Sequence, residues 1–422
     1  MSTINAIRGM NDILPNEIPY WHRLEAILQQ LLTQHGYQEI RFPIVEQSQL
    51  FHRSVGDTSD IVEKETYDFK DRNGSDLTLR PEGTAGCVRA VIQNGMARNQ
   101  QLHKLWYIGP MFRHERPQKG RYRQFHQLGV EIYGLDQVSA DAELIALTWQ
   151  LWQQLGLSED VTLQINTLGT QSERQTYQQA LVTYLEAHYD ALDTDSQRRL
   201  YKNPLRILDS KNPELRPIIE QAPRFSDHLG PTSTQQFQQL TTLIEQLGIP
   251  YEINPYLVRG LDYYNHTVFE WVTSALGAQG TICAGGRYDQ LVEQLGGAST
   301  PATGFAIGLE RLILLLQMQD KIAPTGPAPD VYIVSDAPLA AMPYAAELRC
   351  QYPHLTIVQH LQEGSFKSQF KKANKANATL ALILGQDERA QQQVTIKFLQ
   401  ADSPQVTMSW PKLIDQLACL LN

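Results

Sequence analysis

The chain has 422 residues, 42% of them hydrophobic and 19% charged, an ordinary composition for a soluble globular protein but a length that suggests about two or three domains. No run approaches the roughly 20 apolar residues of a membrane span, so a membrane-spanning protein is not expected. The net charge of −9 does not exclude a nucleic-acid partner, because a local basic surface suffices to hold phosphates. Basic residues concentrate at positions 113–123 and 367–375.

The N-terminus and the cysteines suggest a compartment. The first residues, MSTINAIRGMND, lack the apolar core of a signal peptide. The cysteines show no paired spacing, which argues against a disulfide framework or a structural zinc site. They are Cys87, Cys283, Cys350 and Cys419. We therefore expect a cytoplasmic protein without a structural metal.

An amphipathic helix opens the chain and a strand-like segment follows. Apolar residues recur at helical spacing over residues 18–32, Pro19 suits the first turn, and Gly36 ends the helix. Residues 39–45 are strand-like, with Pro43 better tolerated at an edge or an interface than inside a sheet.

Further strand signals follow, several of them joined without intervening helices. This arrangement predicts a largely antiparallel sheet with packed helices, an α+β fold. The predicted strands are residues 77–80, 105–113, 124–133, 161–168, 261–272 and 304–307.

Two regions depart from this pattern. Residues 172–247 are polar, rich in Gln and helical in pattern, which predicts an inserted helical domain. Residues 323–330, APTGPAPD, predict a linker to a small separate α/β domain. The expected domains are a main domain of residues 1–169 and 250–322, an insertion of residues 170–249, and a C-terminal domain of residues 323–422.

The strand that begins at Arg123 carries an unusual set of side chains. Strand alternation places Arg123, Phe125, Gln127 and Glu131 on one face and apolar residues on the other. Either the solvated face of a half-buried strand or a ligand site would explain this pattern. The site is favoured because the preceding strand ends at Arg113, which a hairpin would place beside this face.

Two turns and one pre-strand segment also present polar groups. Glu82 and Thr84 follow a strand in a Pro-Glu-Gly turn, although turn formation alone explains that proline and glycine. Arg259 precedes a strand expected to begin near Leu261. Residues 285–289, GGRYD, predict a glycine turn in which the backbone approaches a ligand closely.

Arg311 follows the small-residue strand 304–307 and falls in the first turn of a helix. The positive end of a helix disfavours a cation that has no partner. An anionic or aromatic ligand is one explanation, and a salt bridge with a neighbouring carboxylate is the other. The sequence contains neither a dinucleotide fingerprint nor a Gly-Lys-Ser/Thr phosphate loop, so ATP, if bound, is bound by another architecture.

Together these segments resemble the class II aminoacyl-tRNA synthetases. The first motif of that class, a helix and strand with proline, corresponds to the region ending at Pro43. Its F-R-x-E strand–loop–strand corresponds to residues 112–131, and its G-L-E-R motif to residues 304–311. Residues 259–264, RGLDYY, and the GGRYD segment look like signatures of bacterial-type histidyl-tRNA synthetases, and LRPEGT at 79–84 completes the set.

The resemblance implies a fold and a reaction. The main domain would be the catalytic domain, a class II antiparallel sheet flanked by helices, with a helical insertion and a C-terminal α/β anticodon-binding domain. The reaction would activate L-histidine with ATP, assisted by Mg²⁺, to histidyl-adenylate and pyrophosphate. Histidine would then pass to the 3′ end of tRNA(His).

The resemblance also implies roles for individual residues. Arg113 and Arg259 would be catalytic cations at the α-phosphate, and Phe125 and Arg311 would sandwich adenine. The expected ATP-binding residues are Arg113, Arg121, Phe125 and Arg311. The expected histidine-binding residues are Glu82, Thr84, Gln127, Glu131, Tyr264 and Tyr288, the last three reading the imidazole.

For tRNA, Arg116 and Gln118 of the second motif are expected to meet the acceptor end. Lys367, Lys371 and Lys375 are spaced by four, which suits either a phosphate-binding stripe or a solvated helix face. The first motif forms a dimer interface in this class, so a symmetric homodimer is expected.

Two other functions compete with the ligase. A non-catalytic, synthetase-like regulator that senses histidine would be expected to lack the Arg259 segment or the C-terminal domain, and both are present. An adenylate-forming ligase without an RNA partner is disfavoured by the basic second-motif loop and the C-terminal domain.

Overall fold

The computed structural model describes residues 3–56, 59–98, 101–208, 210, 212–277, 280–323, 328–401 and 403–421. The chain divides into two compact units, Met1–Ala323 and Pro324–Asn422. This division falls in the predicted linker, of which residues 324–327 lie outside the described residues. Each unit has a hydrophobic core of its own.

The first unit mixes strands and helices along the chain. Its strands are β1 (Gln38–Glu39), β2 (Val45–Gln47), β3 (Tyr67–Lys70), β4 (Asp76–Leu79), β5 (His103–Phe112), β6 (Gln124–Tyr133), β7 (Thr162–Thr167), β8 (Tyr251–Ile253), β9 (Asn265–Val272), β10 (Thr281–Arg287) and β11 (Ala302–Gly308). Its α-helices are α1 (Ile18–Gln34), α2 (Ser48–Val55), α3 (Thr84–Gln93), α4 (Ser139–Gln154), α5 (Gln171–Glu186), α6 (Thr194–Arg199), α7 (Leu205–Leu208), α8 (Arg216–Glu220), α9 (Pro231–Gln246), α10 (Leu291–Gln294) and α11 (Leu309–Met318).

Within the described residues an eight-stranded sheet runs in the order β1-β5-β6-β11-β10-β9-β7-β8. The edge pairs β1–β5 and β7–β8 are parallel, whereas the inner pairs are antiparallel. The predicted α+β fold, with a largely antiparallel sheet flanked by helices, is therefore confirmed. Strands β2, β4 and β3 form a smaller, separate antiparallel sheet.

Amphipathic helices cover one face of the large sheet. Helix α1 buries Trp21, Leu24 and Leu28 because its apolar residues recur at helical spacing on one side. These residues share a core with the sheet and with α4 and α11. Helix α9, at the end of the predicted insertion, also packs against α4 and adds Leu240 and Ile244 to this core.

Three local predictions were wrong. Gly285 and Gly286 lie inside β10 and not in a turn, and β9 begins at Asn265 and not near Leu261. Of residues 39–45, only Glu39 in β1 and Val45 in β2 belong to strands. The glycines of β10 reflect crowding, because a Cβ on Gly285 would lie 2.4 Å from the carbonyl oxygen of Gly304 in the neighbouring strand.

The second unit is a five-stranded mixed sheet with helices, in the order β13-β12-β14-β15-β16. Its strands are β12 (Val331–Val334), β13 (Ile357–Gln359), β14 (Leu380–Ile383), β15 (Gln393–Phe398) and β16 (Val406–Ser409). Its helices are α12 (Pro338–Gln351), α13 (Phe366–Lys375), α14 (Gln386–Ala390) and α15 (Trp410–Leu421). The described residues of the chain include no helix with the length and apolar character needed to cross a bilayer.

Candidate active site

A cavity of about 300 Å³ opens beside β6, β11, β10 and β9 in the first unit. Residues from distant parts of the sequence line it, because the start of α3, the β5–β6 hairpin and the segment before β9 all reach this part of the sheet. Its polar lining includes Glu82, Thr84, Arg113, Glu115, Arg121, Gln127, Arg259, Tyr264, Glu270, Glu310 and Arg311.

Behind Thr84, which lines the cavity, lies the carboxyl group of Glu131, a residue that is only 1% exposed. Its Oε1 accepts hydrogen bonds from the hydroxyl groups of Thr84 at 3.1 Å and Tyr107 at 2.9 Å. Its Oε2 accepts one from the hydroxyl of Tyr288. Burial raises the pKa of Glu131 to about 8, although these hydrogen bonds oppose the rise. The carboxyl group is therefore held in one orientation by three hydroxyl donors.

The solvated-face explanation of this strand is excluded for Glu131. Strand β6 lies between β5 and β11 inside the sheet, and its second half is buried. The side chains of Leu128 and Val130 enter the core under the helices, while Glu131 faces the opposite side, where Tyr107 and Tyr288 cover it. Sequence alternation predicted the two faces, but only the packing shows that both are covered.

Glu82 caps the N-terminus of α3 at the cavity wall. Its carboxylate oxygens accept the backbone N–H groups of Thr84 at 2.6 Å and Ala85 at 2.8 Å, because the first amides of a helix have no partners within it. Burial raises the pKa of Glu82, and these hydrogen bonds and the charge of Arg113 oppose the rise. A carboxylate is thus fixed beside Thr84.

The β5–β6 hairpin places Arg113 against Phe125. The Arg113 guanidinium donates an Nε hydrogen bond to the carbonyl of Pro81 at 2.8 Å and lies 5.4 Å from the centre of the Phe125 ring. Burial lowers the pKa of Arg113. Farther along the hairpin loop, Arg121 forms an ion pair with the buried Glu115.

Arg259 forms a part-buried ion pair with Glu270 of β9. Its guanidinium lies 5.4 Å from the centre of the Tyr264 ring, and Glu270 also accepts a hydrogen bond from the hydroxyl of Thr281 at 2.9 Å. Burial acts to lower the pKa of Arg259, but the charge of Glu270 outweighs this effect, so the pKa is raised. The guanidinium therefore remains a cation inside the protein.

Arg311 lies in the first turn of α11. Its Nε donates to the carbonyl of Gly120 at 3.1 Å, and Nη1 donates to the carbonyl of Thr281 at 2.8 Å. These carbonyl dipoles supply the compensation that a cation needs at the positive end of a helix. They also connect the hairpin loop, β10 and α11.

Three tyrosines pack together on another side of the cavity. The ring of Tyr263 lies 4.7 Å from that of Tyr264 and 5.6 Å from that of Tyr288, measured between centroids. Tyr263 and Tyr264 line the cavity, whereas the hydroxyl of Tyr288 reaches Glu131 from behind. The cluster links the segment before β9 to the buried acid.

The structure brings most of the predicted site residues of the first unit together at the cavity. The cavity is lined by Glu82, Thr84, Arg113, Arg121, Phe125, Gln127, Arg259, Tyr264 and Arg311. Glu131 and Tyr288 lie directly behind this lining. Arg116 and Gln118 are exposed on the hairpin loop, and Lys367, Lys371 and Lys375 are exposed on α13 of the second unit.

Several residues of this site were missed from sequence, among them Glu115, Glu310, Glu270, Tyr263 and Tyr107. Glu270 interrupts the apolar run of β9 between Phe269 and Trp271, and a charge at that position is a usable signal of a buried partner. Tyr263 stands in the same segment as Tyr264. Tyr107 carried no signal, because a tyrosine inside an apolar strand is ordinary.

Among the described residues, no group of three or more His, Cys, Asp or Glu side chains is arranged to hold a metal ion. Glu115 and Glu270, which line the cavity, are each paired with an arginine. The cavity thus combines compensated carboxylates with arginines and an aromatic ring, and this combination suits an anionic ligand with a planar group.

Comparison with known proteins gives consistent matches. A family model described as histidyl-tRNA synthetase matches residues 9–312, and one described as an anticodon binding domain matches residues 330–420. The crystal structure of apo S. aureus histidyl-tRNA synthetase is similar at 35% identity and a TM-score of 0.81, covering 98% of this chain and 99% of that chain.

Two further solved structures are similar in fold. A histidyl-tRNA synthetase from a Nostoc species has 19% identity and a TM-score of 0.66, covering 100% of both chains. An ATP phosphoribosyltransferase regulatory subunit/histidyl-tRNA synthetase from Bacillus halodurans has 23% identity and a TM-score of 0.64, covering 91% of this chain and 98% of that chain.

Proposed function

Because the chain belongs to the histidyl-tRNA synthetase family, we propose that it is a histidine–tRNA ligase, which activates L-histidine with ATP and transfers it to tRNA(His). The supporting observation is the convergence of Arg113, Arg259 and Arg311 on one cavity backed by the buried Glu131. Arginines suit the phosphates of ATP, and a buried acid with hydroxyl partners suits an imidazole.

In this proposal Glu82, Thr84 and Gln127 hold the α-amino group of histidine. Each oxygen of Glu82 accepts one backbone amide and keeps a lone pair for an ammonium group. Glu131, with Tyr264 and Tyr288, reads the imidazole nitrogens. A pocket built to hydrogen-bond a substrate N–H rejects analogues lacking it by roughly 10⁴–10⁵, so the reaction does not require an editing site.

ATP would occupy the arginine-lined part of the cavity. Phe125 and Arg311 would sandwich the adenine, and Arg113 and Arg121 would contact the phosphates. Arg113 is suited to this task because its contact with Pro81 uses only Nε. The remaining guanidinium donors can then reach a phosphate oxygen.

The first chemical step would join a histidine carboxylate oxygen to the α-phosphorus and release pyrophosphate. Negative charge is concentrated around the α-phosphorus in the transition state, and prearranged cations lower its energy. Arg113 and Arg259 would supply this charge. Arg259 is held by Glu270 beforehand, so little reorganisation is needed when the nucleotide arrives. Transfer of the histidyl group from the adenylate to a terminal ribose hydroxyl would follow, with release of AMP.

Mg²⁺ would enter with ATP. The described residues form no group suited to hold a metal ion, and Glu115 and Glu270 of the cavity are each paired with an arginine. Mg²⁺ is commonly held mainly by substrate phosphates, and no step proposed here passes through it.

The proposal extends to partners and location. Arg116 and Gln118, on the exposed hairpin loop, would meet the acceptor end of tRNA, and Lys367, Lys371 and Lys375 would contact phosphates near the anticodon. We also propose that the enzyme is cytoplasmic and that its domains have the boundaries expected from the sequence.

A symmetric homodimer is supported by apolar surface near the first motif. Ile44, Val45 and Phe69, at or beside the small sheet, are 40%, 39% and 44% exposed. Neighbouring exposed apolar side chains are typical of protein–protein interfaces. We propose that a second copy of the chain covers them.

ATP–pyrophosphate exchange with each of the twenty amino acids, followed by charging of bulk tRNA, tests the function. The ligase is expected to exchange with histidine and to charge tRNA. Histidine binding without exchange would instead support a regulator, and exchange without charging an adenylate-forming ligase that acts on another acceptor.

A further inference from the structure

The first residues of β6 have no hydrogen-bonded partner in β11. The last register pair is Gln127 with Gly308, because α11 begins at the next residue, Leu309. Strand β6 extends to Gln124 and is paired there only with β5 on its other side. The backbone N–H of His126 therefore has no strand partner on the β11 side.

Glu310 fills this position with its side chain. Its carboxylate accepts the backbone N–H of His126 at 2.8 Å through Oε1 and at 2.9 Å through Oε2. Oε1 also lies 3.0 Å from Nδ1 of the His126 ring. A carboxylate on the first turn of α11 thus continues the sheet where the strand ends, and charge-assisted hydrogen bonds of this kind are stronger than neutral ones.

Glu310 itself lines the cavity, and so do Phe125 and Arg311, the residues next to this pair. Successive side chains of a strand point to opposite faces, so the His126 ring packs edge-on against Trp21, with centroids 4.9 Å apart, while Phe125 faces the cavity. On α11, Glu310 is followed directly by Arg311. The contact between Glu310 and the His126 backbone therefore ties the strand that carries Phe125 to the helix turn that carries Arg311.

We propose that Glu310 is a positioning residue for the nucleotide, whose contact with the His126 backbone sets the gap between Phe125 and Arg311 for a planar base. This inference rests on the proposed function, which places adenine in that gap. A stacking pair gains its energy only at a suitable separation. Loss of the contact should therefore weaken nucleotide binding more than histidine binding.

The test uses the full chain and measures kcat and both KM values in pyrophosphate exchange for wild type, Glu310→Ala and Glu310→Gln. Loss of a charge-assisted hydrogen bond predicts a rise in the KM for ATP of about tenfold or more in Glu310→Ala, with the KM for histidine within about twofold of wild type. Glu310→Gln keeps one acceptor oxygen, so its KM for ATP should lie between those of wild type and Glu310→Ala. His126→Ala keeps the backbone N–H, so its KM for ATP should remain near that of wild type.

Glu143→Ala is the matched control, because Glu143 is a half-buried carboxylate bonded to Lys104 at 2.7 Å and His35 at 3.3 Å, away from the cavity lining. It should lower thermal stability without changing the KM for ATP. An unchanged KM for ATP in Glu310→Ala, or equal changes in both KM values, would overturn the proposal.

Calorimetric binding of a non-hydrolysable ATP analogue separates this inference from the proposed function. A wild-type protein without histidine-dependent exchange would refute the ligase. The positioning role would still be supported if wild type bound the analogue and Glu310→Ala bound it about tenfold more weakly, and refuted if the two bound it equally.

Discussion

Gly304 of β11 lies directly opposite Glu131 of β6, and the absence of its side chain makes room for the Glu131 carboxylate. A Cβ atom on residue 304 would lie 1.7 Å from Oε2 of Glu131 and 2.7 Å from the carbonyl oxygen of Val130. Neither distance is tolerable in a close-packed interior. The orientation of the buried acid therefore depends on a glycine in the neighbouring strand.

Gly304→Ala should displace Glu131 and weaken histidine binding by at least about tenfold, since a buried hydrogen-bond network cannot lose its geometry without losing affinity. Calorimetric titration with histidine in the absence of ATP measures this. Gly308→Ala, in the same strand, is the control, because a Cβ there meets nothing within 4 Å. Equal histidine affinity in the two variants would show that Glu131 does not depend on this space.

Glu131→Gln should change how stability varies with pH. Burial raises the folded-state pKa of Glu131 to about 8, above an unfolded value of roughly 4.3. At a pH between these two values, the folded state holds a proton on Glu131 that the unfolded state has lost. Wild-type stability should therefore fall relative to Glu131→Gln as pH rises from about 5 to 8 and level off above that. Urea unfolding of both proteins across this range measures the difference, and parallel curves would contradict a raised pKa. The variant should also bind histidine more weakly.

Arg259→Ala should lower the exchange rate by roughly 10²–10³ while leaving histidine affinity within a few-fold of wild type, because its proposed task is to stabilise charge during the reaction. Single-turnover adenylation measures the effect. Arg216→Ala is a suitable control, since Arg216 forms an exposed ion pair with Glu220 at 2.9 Å, away from the cavity lining. Wild-type adenylation in Arg259→Ala would remove Arg259 from the mechanism.

Replacing Lys367, Lys371 and Lys375 together by Gln should reduce tRNA charging while leaving pyrophosphate exchange unchanged. A plot of log tRNA affinity against log salt concentration has a negative slope. This slope should become shallower by roughly 0.7–0.9 for each phosphate contact removed. The control variant is Lys372→Gln on the same helix, because Nζ of Lys372 already donates a hydrogen bond to Gln362 at 2.9 Å. Unchanged charging would indicate that the three lysines form an ordinary solvated face.

Glu173 joins the starts of α5 and α9, accepting the backbone N–H groups of Thr170 at 2.6 Å and Gly230 at 2.5 Å and the hydroxyl of Ser233 at 2.7 Å. Burial alone would raise the pKa of Glu173, but these hydrogen bonds lower it to about 2. The stabilisation should be complete above the unfolded value of roughly 4.3 and disappear as pH falls toward 2.

The variant that tests this is Glu173→Gln, which should unfold at lower urea concentration than wild type at pH 7. The difference should shrink between pH 4.5 and pH 2. Glu220→Gln, in the exposed pair with Arg216, should change stability much less, because exposed pairs contribute little. A difference that persists unchanged at pH 2.5 would show that the carboxylate charge is not what stabilises the contact.

Local patterns predicted those parts of the fold that depend on neighbouring residues in the chain. Strand β6 was predicted with the bounds it has, Gln124–Tyr133, because alternating apolar residues report a strand with one face in the core. Strand β10 was not predicted, because its glycines satisfy a requirement set by the neighbouring strands β11 and β9 and not by β10 itself. Glycine normally indicates a turn, and no local pattern distinguishes the two cases.

The sequence by itself determined the class of the fold, the family and the kinds of side chain available for the chemistry, because these follow from periodicity and from motifs of adjacent residues. Only the tertiary structure decided that Glu131 is buried with a raised pKa, that Arg259 is held by Glu270, and that Glu310 extends β6 beside Phe125. Burial, ion pairing and spacing depend on residues far apart in the chain, so the local sequence does not specify them.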